Sequence, residues 1–290
     1  MFQYAAGLFY AAQCNAHLSL IVDPPHKSNS HGHPRPYLLP HFSITAKHRM
    51  LNDVDRILLL TENRRVTPSL ALFLRKYILQ AGMRVQIVTE TLEQRFRFQA
   101  ELPVSRHMRT IYLLGYWQVH NIAEQISVQL RREFTFRNPP TGKNLELIRV
   151  IQNAENSVSV HIRRGDYTLA AEGNVALPID YYSEAIANLR TSLRNPTFFV
   201  FSDDINFAKQ HLSKNIPSIF IDHNDAFSAH EDMRLMSSCR HHIIANSTFS
   251  WWGAWLNPSV DKIVLAPRNW LVANCPAKND LIPRTWRLLD

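Results

Sequence analysis

Val158-Ser159-Val160-His161-Ile162-Arg163 alternates with period two, so Val158, Val160 and Ile162 share one strand face while Ser159, His161 and Arg163 share the other. The chain then repeats one pattern. A helix over Asp180–Leu193 is followed by a strand Thr197–Phe201, a helix Ile205–Leu212, a strand Ile219–Ile221, a helix Glu231–Ser238, a strand His242–Ala245, a helix Ser250–Leu256 and a strand Lys262–Leu265. Strand followed by helix, repeated, means parallel strands joined by helical crossovers, an α/β architecture. In open α/β sheets the ligand sits outside the carboxyl ends of the strands, so those positions are where chemistry is sought.

Upstream, residues 2–12 form a helix-grade apolar segment, and strands are expected at Leu18–Val22, Arg56–Leu60, Val85–Val88 and Thr110–Leu114, with a helix at Glu124–Phe134. Residues 23–41 read as a Pro- and His-rich loop, with His26, His31, His33 and His41 in a solvated segment. The turn-rich run Arg137-Asn138-Pro139-Pro140-Thr141-Gly142-Lys143-Asn144 marks the domain break, dividing the chain into 1–145 and 146–290. With 46% hydrophobic and 19% charged residues, the 290-residue chain has the balance of a packed globular protein, which excludes collagen, coiled coil and disorder. Lys+Arg 32 against Asp+Glu 24 leaves +8, a charge that suits an anionic partner. No recognised nucleic-acid motif accompanies it, so nucleic acid is not the expected partner. The three cysteines, Cys14, Cys239 and Cys275, have no zinc or disulfide-framework spacing. No apolar run approaches ~18 residues, the length needed to span a bilayer.

Three strand ends carry chemistry. After the first, Arg163-Arg164-Gly165-Asp166 brings two guanidinium forks that match phosphate oxygens bidentately, and Gly165 permits a turn that re-aims Arg164 and Asp166. The alternative is that Arg163 or Arg164 pairs with Asp166. After the second, Ser202-Asp203-Asp204 offers helix caps, with Ser202 or Asp203 the expected N-cap. Asp222, ending the next strand, is either a cap or a ligand group, and Ser228 with Glu231 has the spacing of a capping box. After the strand at 242–245, Asn246, Ser247, Thr248 and Ser250 stand at a helix N-terminus, a setting that suits an anion. Phe249, Trp252, Gly253 and Leu256 make a core stripe on that helix, and Trp251 and Trp255 are expected to pack as well. Asp53-Val54-Asp55 has the D-x-D form of some metal clamps, but two acids at this spacing arise often by chance and no metal site is expected.

The strings HIRRGDY (161–167), FVFSDD (199–204), HEDMRLMSSCRHHIIANSTFSWWGAWLN (230–257) and GYWQ (115–118) together resemble the α-1,2-fucosyltransferases of glycosyltransferase family 11, and Met1-Phe2-Gln3-Tyr4-Ala5 resembles the end of that family's opening GLGNQMFQYA segment. The resemblance implies a GT-B-like fold, two Rossmann-like domains facing across a cleft, with an acceptor-side first domain that here lacks its first strand and a GDP-fucose-binding second domain. It implies inverting transfer of L-fucose from GDP-β-L-fucose to the 2-hydroxyl of a terminal galactose in a glycan, without a metal or other cofactor. On this basis Arg163 neutralises the departing GDP, His161, Arg164 and Asp166 complete the donor loop, and Asn246, Ser247, Thr248 and Ser250 lie near the phosphates. Asp222 is the candidate for reading guanine N–H groups, and Asp166 is the candidate general base, with Glu172 the second choice. A catalytically weakened glycan- or nucleotide-binding relative is the alternative. A bacterial member is expected in the cytoplasm or peripherally on the membrane, and a eukaryotic member with an upstream anchor at the Golgi membrane.

Overall fold

The computed structural model describes residues 1–22, 36–62, 84–91, 94, 96–105, 107–169, 175–212, 216–270 and 280–290, with the side chains at 59–62, 166 and 169 outside that description. His26, His31, His33, Glu172 and Cys275 therefore lie outside the described residues. The chain divides into two compact units: Met1–His26, Thr45–Leu130 and Asn279–Leu281 form unit 1, and Lys27–Ile44, Arg131–Lys278 and Ile282–Asp290 form unit 2. The main division falls between Leu130 and Arg131, and the turn-rich run at 137–144 lies within unit 2.

Unit 1 contains α1 (Phe2–Gln13), β1 (Ser19–Val22), β2 (Lys47–Met50), α2 (Asp53–Glu62), β3 (Val85–Thr89), β4 (Thr110–Leu114) and α3 (His120–Gln125). β1 pairs in parallel with β2, Ser19 opposite Lys47, and β3 with β4, Val85 opposite Thr110. Helix α1 buries Phe2, Tyr4, Leu8, Phe9 and Tyr10, and the Tyr4 hydroxyl accepts from the Thr45 and Ala46 amides at 3.3 and 3.4 Å. The expected strand at Arg56–Leu60 is instead the body of α2. Its first turn is fixed by a local exchange, in which the Asp55 amide donates to Asn52 Oδ1 and the Asn52 amide to Asp55 Oδ2, each at 2.9 Å. That capping signal outweighs the β character of the apolar run. The helix expected over Glu124–Phe134 is two, α3 and α4 (Ser127–Glu133), with Ile126 leaving helical geometry between them.

Unit 2 contains α5 (Gly142–Asn153), β5 (Asn156–Ile162), α6 (Ile179–Ser192), β6 (Pro196–Ser202), α7 (Ile205–His211), β7 (Ser218–Ile221), α8 (Ala229–Ser238), β8 (His241–Ile243), α9 (Thr248–Leu256), β9 (Val264–Pro267) and β10 (Arg287–Leu289). The strands form one parallel sheet in the order β10-β9-β8-β5-β6-β7. The period-two pattern sorts the faces. Val158, Val160, Ile162, Phe198 and Val200 pack with Tyr181, Tyr182, Ile186 and Leu189 of α6, while Phe199, Phe201 and Ile221 pack with Leu147 and Ile151 of α5 and with Leu235 and Met236 of α8. Each such buried aromatic or aliphatic side chain contributes about 1.5–3 kcal/mol relative to exposure. Among the described residues no helix is long and apolar enough to cross a membrane.

Candidate functional site

The strand order of unit 2 reverses at β5. The chain runs outward through β6 and β7, then returns to the other side of β5 to lay down β8, β9 and β10. The carboxyl ends of β5 and β8 therefore flank the topological switch point, where open α/β sheets bind their ligands. Arg163 and Arg164 follow β5, and Asn246, Ser247 and helix α9 follow β8.

Among the described side chains, the two arginines pair with the strand end next door. Arg163 Nη1 lies 3.0 Å from Asp203 Oδ2, and its guanidinium sits 5.4 Å from the centre of the Tyr167 ring. The Arg164 amide donates to Asp203 Oδ1 at 2.8 Å, its Nε lies 3.5 Å from Asp204 Oδ2, and its guanidinium stacks 3.5 Å above the Phe207 ring. Asp203 thus holds the β5 turn and orients Arg163, a role the sequence did not suggest. The N-cap of α7 is Asp204, which accepts from the Phe207 amide at 3.0 Å, rather than Ser202 or Asp203. Ser202 instead accepts from the Asp204 amide at 3.0 Å and braces the cap. Asp166 lies in the 3₁₀ turn Gly165–Leu169, which Thr168 closes with bonds to Arg164 O (2.8 Å) and Gly165 O (2.9 Å). The Tyr167 hydroxyl donates to Asn246 O at 3.2 Å and ties this turn to the one after β8.

At the β8 end, Ser247 is the N-cap of α9, its hydroxyl accepting from the Phe249 amide at 3.4 Å. Ser250 is buried and donates to Ser247 O at 3.2 Å. Asn246 is also buried, its amide donating to Val175 O (3.0 Å) and Trp270 O (3.2 Å). These three side chains build the turn, so an anion here would meet Thr248 and the first-turn amides of the helix. His161 is buried against Phe249, ring centres 5.6 Å apart, with Nδ1 lacking a hydrogen-bond partner. Burial, reinforced by the Arg163 charge, pushes its pKa down to about 3, so the ring is neutral at physiological pH.

Behind the turn, His242 bridges three site-bearing elements. Its Nδ1 lies 2.8 Å from Ser159 Oγ of β5 and its Nε2 accepts from Asn257 Nδ2, just past α9, at 2.8 Å. Burial holds this imidazole neutral, its pKa far below the usual histidine range. Helix α9 is anchored at its other end as well. Lys262 Nζ donates to Ala254 O (2.9 Å) and Asn257 O (2.6 Å), and Arg131 donates to Trp255 O (3.1 Å) and Leu256 O (3.2 Å). Cations on the last carbonyls suit the helix dipole. Trp251, Trp252 and Trp255 are all buried, with Trp251 against Trp252 edge-on at 4.9 Å and beside Trp286 at 5.4 Å. Gly253 lets α9 pass close to α8, since a Cβ there would stand 3.0 Å from Met236 Cβ.

Near the β7 end, Asp222 lies in an ion cluster, 2.8 Å from Lys209 Nζ and 3.5 Å from Lys143 Nζ; the hydrogen bond from Lys209 keeps its pKa below the usual value. A second carboxylate, Asp232, is largely buried in a polar cluster. It accepts from Asn224 Nδ2 at 2.7 Å, Asn224 bonds Asn144, and Asn144 Oδ1 meets His223 Nε2 at 2.8 Å. Burial pushes Asp232 up to about 6. The sequence hid it behind an expected Ser228/Glu231 capping box. The capping box is instead Asp225 with Ser228 on the preceding 3₁₀ turn, and Glu231 makes a two-pronged bond to Arg234 at 2.8 and 3.1 Å. In unit 1, the Asp55 carboxylate is fully buried and engaged by the Arg49 guanidinium, the Tyr112 hydroxyl (2.9 Å) and the Asn52 amide, with Arg49 holding its pKa at about 2. The D-x-D sequence is therefore a helix-start ion pair.

The profile of glycosyl transferase family 11 matches residues 40–290. The chain belongs to glycosyltransferase family 11. It is 44% identical over 135 residues to the O-antigen biosynthesis glycosyltransferase WbnK of Escherichia coli and 39% identical over 190 residues to an α-1,2-colitosyltransferase of Escherichia coli. Those stretches cover 45% and 61% of this chain but only 44% and 62% of the relatives' own lengths. The human galactoside α-(1,2)-fucosyltransferase 1 is 27% identical over 147 residues, 47% of this chain and 39% of that one. In structure the chain is similar to the NodZ α-1,6-fucosyltransferase co-crystallised with GDP, TM-score 0.51 at 16% identity, covering 89% of this chain and 88% of that one. The chain's fold is α/β and GT-B-like.

Proposed function

We propose that this family 11 chain transfers L-fucose from GDP-β-L-fucose to the 2-hydroxyl of a terminal galactose with inversion. The observation that carries the reading is the Asp203-oriented Arg163 beside the N-terminus of α9 at the switch point. The leaving group is a nucleoside diphosphate, and its growing negative charge meets a fixed guanidinium and helix amides that need no reorganisation as the glycosidic bond breaks. The galactose 2-oxygen forms the new bond at the anomeric carbon and gives its proton to a carboxylate, for which Asp166 is the assignment from sequence. Asp232, rather than the lysine-bound Asp222, is the better-placed reader of guanine: a desolvated carboxylate gains most from the N–H donors of the base. Because cationic side chains and helix amides hold the diphosphate, turnover is expected to persist in excess EDTA. Loss of turnover on chelation with recovery on adding manganese would overturn metal independence.

A second reading is favoured by the 39% identity to the colitosyltransferase. Colitose is L-fucose without its 3-hydroxyl, so the same nucleotide site would serve and only the contact to that hydroxyl would differ. Competing GDP-fucose with GDP-colitose over a panel of β-galactosides, with products analysed by mass spectrometry, tests both. Predominant fucosyl product supports the first reading, and predominant colitosyl product the second.

A further inference from the structure

The helix that starts at the switch point is largely apolar. Helix α9 reads Thr248-Phe249-Ser250-Trp251-Trp252-Gly253-Ala254-Trp255-Leu256, and its three tryptophans are buried. Hydrophobic burial is non-directional, so the indoles hold α9 on the sheet while specifying its axial position less sharply than hydrogen bonds do.

Directional bonds come from the sheet beneath. Ser159 of β5 and His242 of β8 stand opposite each other in the register, and both are buried. Ser159 Oγ lies 2.8 Å from His242 Nδ1, and His242 Nε2 lies 2.8 Å from Nδ2 of the buried Asn257, the residue that caps the end of α9. The Asn257 amide is oriented by its other bonds: Oδ1 accepts the Ser259 amide at 2.8 Å, and Nδ2 faces Cys239 O at 2.6 Å and Arg240 O at 3.2 Å. Nε2 of His242 is therefore the acceptor, which assigns the ring proton to Nδ1 and its donation to Ser159.

The other end of α9 meets the same face of the same strand. Ser159 and His161 alternate onto one face of β5, and the His161 ring packs against Phe249 in the first turn of α9. β5 thus gauges α9 at both ends, through His242 and Asn257 at the C-terminus and through His161 at the N-terminus. The donors from Lys262 and Arg131 to the last carbonyls sit on long side chains, whereas His242 is a planar, fully buried ring with both nitrogens engaged.

We propose that His242 is a positioning residue for the donor diphosphate: with Ser159 and Asn257 it sets the axial position of α9, and so the place of Thr248 and the first-turn amides. The inference rests on the reading of the α9 N-terminus as the seat of the diphosphate. A residue that touches no ligand acts in this way because a misplacement of about 1 Å at a preorganised site costs up to ~10²-fold in rate.

The test compares GDP with guanosine, which lacks the phosphates, for the full-length wild type, Ser159→Ala and His242→Asn. Ser159→Ala removes the partner of Nδ1, and His242→Asn keeps a polar group near Nδ1 but gives up the reach to Asn257. GDP is titrated calorimetrically and guanosine by NMR, well below each melting temperature, so that lost stability is not read as lost binding. Both variants are expected to bind GDP about tenfold more weakly than wild type and guanosine within twofold, with kcat lowered at saturating donor. Wild-type GDP affinity in the folded variants overturns the proposal, and so does equal weakening of GDP and guanosine, the mark of a merely structural role. Should His242→Asn fail to fold, Ser159→Ala decides alone. A GDP-specific loss in a protein that transfers no sugar would overturn the transferase reading and leave the positioning role standing. A wild type that binds GDP no more tightly than guanosine would overturn the diphosphate reading of α9 and this proposal with it.

Discussion

The two sheets end differently. At the carboxyl edge of unit 2, two arginines are held by two aspartates over a sheet packed on both faces, with a helix N-terminus beside them. At the carboxyl edge of the β3–β4 pair, the Glu90 carboxylate folds back onto the main-chain amides of Tyr116 and Trp117. The same strand-end position is thus furnished differently: cationic side chains oriented by carboxylates at one edge, and a carboxylate spent on main-chain amides at the other. Stability and binding should separate accordingly, since the first edge stands on the core and the second on a local turn.

The largest expected effect tests that support. Trp251→Ala should lower unfolding free energy by about 3–5 kcal/mol, because it empties the indole cluster under α9. Tyr116→Ala, at an exposed position, should change it by no more than about 0.5 kcal/mol. Urea unfolding measures both, and similar losses would erase the contrast. Next, Arg163→Lys keeps the charge but loses the fork, and a loss of about 2–4 kcal/mol in transition-state stabilisation, read in kcat/KM, is expected with the fold intact. Wild-type kinetics in the folded variant would remove Arg163 from the mechanism.

The smallest effect is a pH dependence. With Asp232 at about 6, its carboxylate is largely protonated at pH 5 and ionised at pH 7. If it accepts guanine N–H groups, GDP affinity should rise up to about tenfold over that range and be flat in Asp232→Asn. Its folded pKa lies above the unfolded value, so its contribution to stability is fully present below pH 4 and is lost as pH rises through 6. GDP affinity unchanged with pH in the wild type would return the guanine contact to another residue.

The parallel sheet and its site-bearing edge were legible because strand alternation and helix periodicity in 156–256 are strong and local. The ion partners were not. Asp203 and Asp204 reach Arg163 and Arg164 across a β5–β6 register that only the folded sheet supplies. Asn246, Ser247 and Ser250 read as ligand groups from composition, yet the structure occupies them in closing their own turn. Asp232 was obscured by an S-x-x-E pattern whose glutamate turns to Arg234. In unit 1, Arg56–Leu60 read as a strand because nothing in its own side chains announces the Asn52–Asp55 exchange that starts α2. The GYWQ string was visible, but its meaning depends on Glu90, 25 residues before Gly115 in sequence and beside it only because β3 pairs with β4.

The central claim, that the Arg163 edge of unit 2 drives glycosyl transfer from a GDP-sugar, is tested most directly by product analysis of the wild type and Arg163→Lys supplied with GDP-fucose, GDP-colitose and a β-galactoside. The account predicts an α-1,2-linked deoxyhexosyl product from the wild type and a deep loss of it in the lysine variant. No product from either donor, in a wild type that binds GDP, would contradict it.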